Sequence, residues 1–322
     1  MTTAGLPMTQ LTFSEAEFHH KKRKTRREIF LEKMEQLIPW KQIEKKVRRY
    51  YPNNGNGRRP YPLSVMLRVH CMQLFYNLSD PAMEDTLYEI ESMRRFANLR
   101  ITGPIPDETT ILNFRHLLEK HKLGEALFIL INKHLTQEGL TLKEGTIIDA
   151  TIISAPSSTK NKAGKRDEEM RSTRKGNQSY FGMKMHIGTD DSVGCIHSID
   201  TTPANEHDIT AADKLLHGEE KRVWGDAGYV GIYKRDEHQD RQVEWFIACR
   251  PGKLKSLPMN SDVRAIEKIK AQVRAKVEHP FLAIKRRFGY HKVRYKGLAK
   301  NHERLCLLAG FYNLIRMDQL AR

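Results

Sequence analysis

Near residue 140 the chain changes its hydrophobic period, and that switch constrains its architecture more than any other feature. Before it, apolar residues recur at helical spacing, as in Ile29, Phe30, Met34 and Leu37. Helices are predicted over 27–38, 64–76, 80–97, 107–121 and 123–135, with Asp80-Pro81 and Asp107 as starting signals and Gly139 as a stop. After the switch, short β-branched runs take over. Strands are predicted at 146–153, 181–188, 194–201, 222–226 and 243–249, with a short helix over 208–217 that Asp208 caps. Helices return at 262–289 and 302–320. A block of helices followed by a mixed β/α block predicts two domains, an all-α unit over 1–140 and an α/β unit over 141–322.

Charge narrows the function. The chain carries 55 Lys and Arg against 39 Asp and Glu, a formal net charge of +16, which argues for a polyanionic partner. The excess gathers in residues 19–27, in 45–49 and in 285–300, and a mixed stretch over 160–175 reads as an exposed, mobile loop. A hydrophobic fraction of 39% is enough to build a core. With no run of about 18 apolar residues, no membrane span is expected. The N-terminus lacks a secretory pattern, and Cys71, Cys195, Cys249 and Cys306 lack disulfide or zinc spacing, so a cytoplasmic location is expected.

Three carboxylates are out of place. Asp149 lies inside the apolar run Thr146-Ile147-Ile148-Asp149-Ala150-Thr151-Ile152-Ile153, where burial is costly unless the acid is paired, protonated or bound to a cation. Asp226 ends a short strand between Gly225 and Gly228. Glu278 lies on the predicted 262–289 helix, and at about 100° per residue Arg274 and Lys285 fall within about 40° of it. Pro280 should kink that helix. Three such acids suit Mg²⁺, which takes hard oxygen ligands, and two ions can serve phosphodiester chemistry. Arg274 and Lys285 would then contact phosphates; a solvated ion pair is the other reading of Arg274 and Glu278.

These residues stand in a string of ordered motifs. In the helical half are Gly57-Arg58-Arg59-Pro60-Tyr61-Pro62 and Asn113-Phe114-Arg115-His116. The later half has Asp149-Ala150-Thr151, Phe181-Gly182-Met183-Lys184-Met185-His186, Ala204-Asn205-Glu206-His207-Asp208, Asp226-Ala227-Gly228-Tyr229 and Arg274-Ala275-Lys276-Val277-Glu278-His279-Pro280. Over most of its length the chain closely resembles bacterial insertion-sequence DDE transposases of the insertion-sequence-five group. The resemblance implies a ribonuclease-H-like mixed five-stranded sheet with flanking helices behind the all-α N-terminal domain. It implies that Asp149, Asp226 and Glu278 are a catalytic triad holding two Mg²⁺ ions, or Mn²⁺. The family signature Tyr-x2-Arg-x3-Glu-x6-Lys keeps Arg274, Glu278 and Lys285 here, but its tyrosine position is Ala271.

The implied partners are double-stranded DNA, both terminal inverted repeats and target, and further copies of the chain in a dimer or larger assembly at the nucleoid. The implied reaction is 3′-end cleavage followed by strand transfer. Arg274, Lys285, Arg286, Lys160 and Lys162 are the candidate DNA contacts, the last two on a loop that is equally read as solvated. A nuclease that cuts without joining, and an inactive DNA-binding relative, are the alternatives. His186 is read as a core histidine, Trp224 as packing, Asp190 and Asp191 as turn residues, and Asp200 as a strand end.

Overall fold

A computed structural model describes residues 22–53, 59–100, 103–139, 144–162, 164–256, 258 and 261–321. The expected domain boundary, the start of the first basic cluster and the Gly57-Arg58 pair lie outside the described residues.

The N-terminal half is helical: α1 (Arg26–Leu37), α2 (Trp40–Arg48), α3 (Leu63–Tyr76), α4 (Asp80–Glu89), α5 (Glu91–Phe96), α6 (Glu108–Lys120) and α7 (Leu123–Gln137). Local chemistry sets the starts. Thr25 and Glu28 form a reciprocal capping box on α1, with Glu28 N–H donating to Thr25 Oγ1 at 3.2 Å and Thr25 N–H to Glu28 Oε2 at 2.7 Å. Ser79, one residue before the expected cap, holds the start of α4, and Asp107 caps α6 as expected. The helix predicted over 80–97 breaks at Ile90, which leaves helical geometry between α4 and α5. α3 is buried on nearly every side, as its uniform apolarity requires.

The second half is built on a mixed sheet: β1 (Gly145–Ser154), β2 (Arg171–Lys175), β3 (Gln178–Asp190), β4 (Ile196–Pro203), β5 (Arg222–Gly225) and β6 (Glu244–Ile247). β1 lies antiparallel to β3 and parallel to β5. β3 lies antiparallel to β4, and β5 parallel to β6. The order β4-β3-β1-β5-β6, three antiparallel strands and then two parallel ones, is the ribonuclease-H-like arrangement. The five expected strands are present, and β2 adds a sixth. It forms a hairpin on the start of β3 through Gly176, at φ +60°, and Asn177. Part of the stretch read as a mobile loop is therefore strand. Its Arg-Ser-Thr-Arg-Lys sequence is nearly all exposed, so no apolar alternation announced it.

After the sheet come α8 (Pro251–Ser256), α9 (Asp262–Arg274), α10 (Glu278–Leu282) and α11 (Leu298–Leu320). The single helix expected over 262–289 is broken in two places. A 3₁₀ turn at Ala275–Val277 separates α9 from α10, and a π turn occupies Ala283–Arg287. α11 packs along α7 and β4. One main core runs from Leu31 in α1 through α3, α7, β1 and β3 to Ile315 in α11. A smaller core, with Ile148, Leu215, Val223 and Tyr229, covers the other face of β1. No helix among the described residues is long and apolar enough to cross a membrane.

Candidate active site

Strand register brings Asp149 and Asp226 together. β1 and β5 run parallel with Ile147 opposite Trp224, and two residues further on Asp149 and Asp226 stand level. Asp226 follows β5 and caps one 3₁₀ turn, its Oδ1 accepting from Gly228 N–H at 2.8 Å. A Cβ on Gly228 would sit 2.9 Å from that oxygen, so a larger residue there would push the Asp226 carboxylate from its present position. Asp149 Oδ1 accepts from Ala150 N–H at 2.7 Å. Both acids line a cleft of about 330 Å³, together with Asp208 and the cations Arg174, Lys175, Lys184 and Lys285.

The cleft sets three carboxylates among four cationic side chains. Burial pushes the Asp149 carboxyl up to about 6, against the Ala150 N–H, and neighbouring Asp226 adds to the rise. Tyr229, three residues after Asp226, is wholly buried. Burial raises its phenol, and the fields of Asp149, Asp208 and Asp226 raise it further. Lys285 Nζ donates to Thr151 Oγ1 at 2.6 Å. Burial lowers the Lys285 ammonium, and the charge of Lys175 lowers it further.

The remaining candidates are placed less simply. Glu278 is exposed on α10 and does not line the cleft, so the shared face predicted for Arg274, Glu278 and Lys285 is not formed. The reason is local. A 3₁₀ turn advances by about 120° per residue instead of 100°, and the π turn shifts the phase again before Lys285. Arg274 is close enough to pull the Asp149 carboxyl down, and among the described residues its Nε has no hydrogen-bond partner. Arg286, Lys160 and Lys162 are exposed and lie outside the cleft wall.

His186 is fully buried, its Nε2 2.7 Å from Thr202 Oγ1. Trp224 packs as expected, stacked 4.3 Å from Phe246 with its indole N–H donating to Asp191 at 3.0 Å. Asp190 accepts from Ser192 and Val193 in the hairpin turn, Asp191 pairs with Arg222, and Asp200 pairs with Lys214.

Among the described residues no three His, Cys, Asp or Glu side chains close around one point. The donor chemistry still fits a hard divalent cation: Asp149 and Asp226 offer carboxylate oxygens and, among the described residues, neither accepts a hydrogen bond from a cationic side chain. Two cleft residues escaped the sequence reading. Asp208 was absorbed by a capping assignment, although it opens its 3₁₀ helix (Asp208–Leu215) as a residue inside it and His207 holds the cap position. Lys184 gave only an alternation signal, sharing a strand face with His186.

Residues 140–314, just over half of the chain, match the family model described as Transposase DDE domain. Residues 18–117 match the model described as Transposase domain (DUF772). Among solved structures, the chain is similar to the "Mos1 transposase paired-end complex with left transposon end", at 8% identity over 80% of this chain and 88% of that one. The TM-score is 0.20, too low to carry any argument. By the match over its sheet, cleft and C-terminal helices, the chain belongs to the Transposase DDE domain family.

Proposed function

We propose that this protein moves an insertion sequence by cutting DNA at the element's terminal inverted repeats and joining the freed 3′ ends to target DNA. The observation that carries this is the pairing of Asp149 and Asp226 in a cleft walled by Arg174, Lys175, Lys184 and Lys285. Carboxylates alone would repel a phosphodiester. The surrounding cations hold its oxygens while the acids stay beneath.

Asp149 and Asp226 would hold Mg²⁺ or Mn²⁺, with Glu278 as the third acid implied by the signature it shares with the family. Two such ions supply an activated attacking oxygen and a stabilised leaving oxygen in phosphoryl transfer. Asp149 and Asp226 fix where that chemistry happens, because they sit on or directly after central strands of a rigid sheet. Lys285, anchored on Thr151, positions a phosphate oxygen beside Asp149. Arg174 and Lys175 on the β2–β3 hairpin close the other wall.

End DNA also needs a longer track. Arg23, Arg26 and Arg27 at the start of α1 line a groove of about 1190 Å³ with Arg287, which follows Lys285 and Arg286 in the chain. These four arginines, which share the groove with Glu28, Glu89 and Glu91, are further candidates for phosphate contacts. Arg274, Arg286, Lys160 and Lys162 remain candidates for the same role. A second copy of the chain would handle the second end.

The test is cleavage and strand transfer with labelled DNA carrying the inverted repeats that flank the coding region. Wild-type protein should cut and join in Mg²⁺, and Asp149→Asn should bind ends but cut none. Wild-type cleavage by that variant removes the assignment. Cutting without joining identifies a nuclease instead.

A further inference from the structure

We propose that Asp208 is a further cation-binding carboxylate of this cleft and that Lys184 is the built-in counter-charge a bound cation displaces. The proposal rests on the cleft being a divalent-cation site. Asp208 opens a 3₁₀ helix that packs on the Ile148 face of β1 and lines the same cleft as Asp149 and Asp226. Gly228 marks the meeting point. A Cβ there would lie 2.9 Å from Asp226 Oδ1 and 3.6 Å from Asp208 Oδ2, so the two carboxylates face each other across a position with no side chain.

A second observation concerns the buried polar group next to these acids in sequence. Tyr229 is 0% exposed, it packs against Gly225 directly before Asp226, and among the described residues its hydroxyl has no hydrogen-bond partner. A buried phenol O–H without a partner is costly, and a ligand or ordered water brought in by the acids would satisfy it. Asp208 Oδ1 is likewise buried without a hydrogen bond. Its neighbours are Lys184 Nζ at 2.9 Å, an ion pair without hydrogen-bond geometry, and His186 Nδ1 at 3.9 Å. Lys184 is held in place by donating to the Glu206 carbonyl at 2.5 Å. Asp208 thus has its charge balanced by one tethered lysine, while its second oxygen faces the cleft.

A purely structural salt bridge predicts something different. It would pin the turn to β3, so removing either partner would do the same harm. If Asp208 binds the cation, the two removals act in opposite directions.

The experiment is Mn²⁺ binding by titration calorimetry on the full chain without DNA, with thermal unfolding as a check on the fold. Asp208→Asn should weaken Mn²⁺ binding about tenfold, and Lys184→Met should tighten it several-fold. Wild-type affinity in Asp208→Asn overturns the proposal, as does equal weakening in both variants. Should Asp208→Asn fail to fold, Lys184→Met decides alone: tighter binding supports the proposal, and unchanged or weaker binding overturns it. Asp149→Asn separates the two levels. If it loses Mn²⁺ while Asp208→Asn does not, only the role of Asp208 falls. If neither variant changes Mn²⁺ binding, the cation site falls with it.

Discussion

Lys285 donates a 2.6 Å hydrogen bond to Thr151, two residues beyond Asp149 on the same strand. Residues two apart on a strand share a face, so this bond fixes an ammonium on the Asp149 side of β1. The anchor explains how an irregular stretch places a side chain precisely: the π turn at Ala283–Arg287 is held by Thr151 rather than by helical regularity.

Lys285→Gln should therefore weaken binding to the element's ends and slow cleavage at least tenfold. A lysine that neutralises one phosphate also contributes to salt dependence. The log–log slope of affinity against salt should become shallower by about 0.9 in the variant. Fluorescence anisotropy with end DNA over a range of salt concentrations measures this. An unchanged slope means that Lys285 does not touch DNA.

The protein should lose stability in mild acid, and His70 should account for part of the loss. Burial drives its imidazole down to about 4, helped by the charges of Arg304 and Arg115. The sign follows from linkage. A histidine lowered in the folded state gives its full stability above the unfolded value near 6.5 and loses it as pH falls towards 4. Each such group costs about 1.4 kcal/mol per pH unit in that window. Urea midpoints between pH 7 and pH 4.5 should fall steeply for the wild type and less steeply for His70→Gln. Parallel curves would exclude His70 as the cause.

The start of α7 depends on a residue far along the chain. Lys122 precedes it in a left-handed conformation, φ +48°, and no local side chain caps the helix. Glu303 on α11 does so instead, its Oε2 accepting from Gly124 N–H at 2.6 Å and Glu125 N–H at 3.3 Å. Glu303→Ala should cost roughly 1–3 kcal/mol. Gly124→Ala should cost a similar amount, roughly 1–3 kcal/mol, by overpacking. Its Cβ would lie 2.3 Å from the Glu303 carbonyl oxygen, and backbone cannot step aside as a side chain can. Thermal unfolding should show both losses, with Mn²⁺ binding unchanged.

These cases show where sequence patterns carried the fold and where they stopped. Asp149 and Asp226 were legible because a carboxylate inside or directly after an apolar strand conflicts with its surroundings. The hairpin that carries Arg174 and Lys175 was not, since a polar strand at a sheet edge buries too little to leave a pattern. Asp208 was hidden by its residue type, because Asp before a short helix has an ordinary capping explanation. The cap on α7 could not be read at all, as Gly124 and Glu303 meet only through tertiary packing. The phase of the segment after Arg274 was lost for another reason: sequence fixes a helical face only while the helix keeps one period.

Glu278 supplies the last prediction. It is exposed on α10, outside the cleft that holds Asp149 and Asp226, in the chain without DNA. Mn²⁺ affinity of the free protein should therefore be unchanged in Glu278→Gln and sharply reduced in Asp149→Asn. Cleavage is a different matter. If Glu278 acts with the two aspartates, the segment from Ala275 to Arg287 must shift when DNA binds, with its 3₁₀ and π turns on either side of Glu278–Leu282 as the places where the backbone can adjust. Glu278→Gln should then bind Mn²⁺ and end DNA normally but cut at least a hundredfold more slowly. Cleavage at the wild-type rate would show that the reaction runs without Glu278, leaving the acids already lining the cleft to hold the cations.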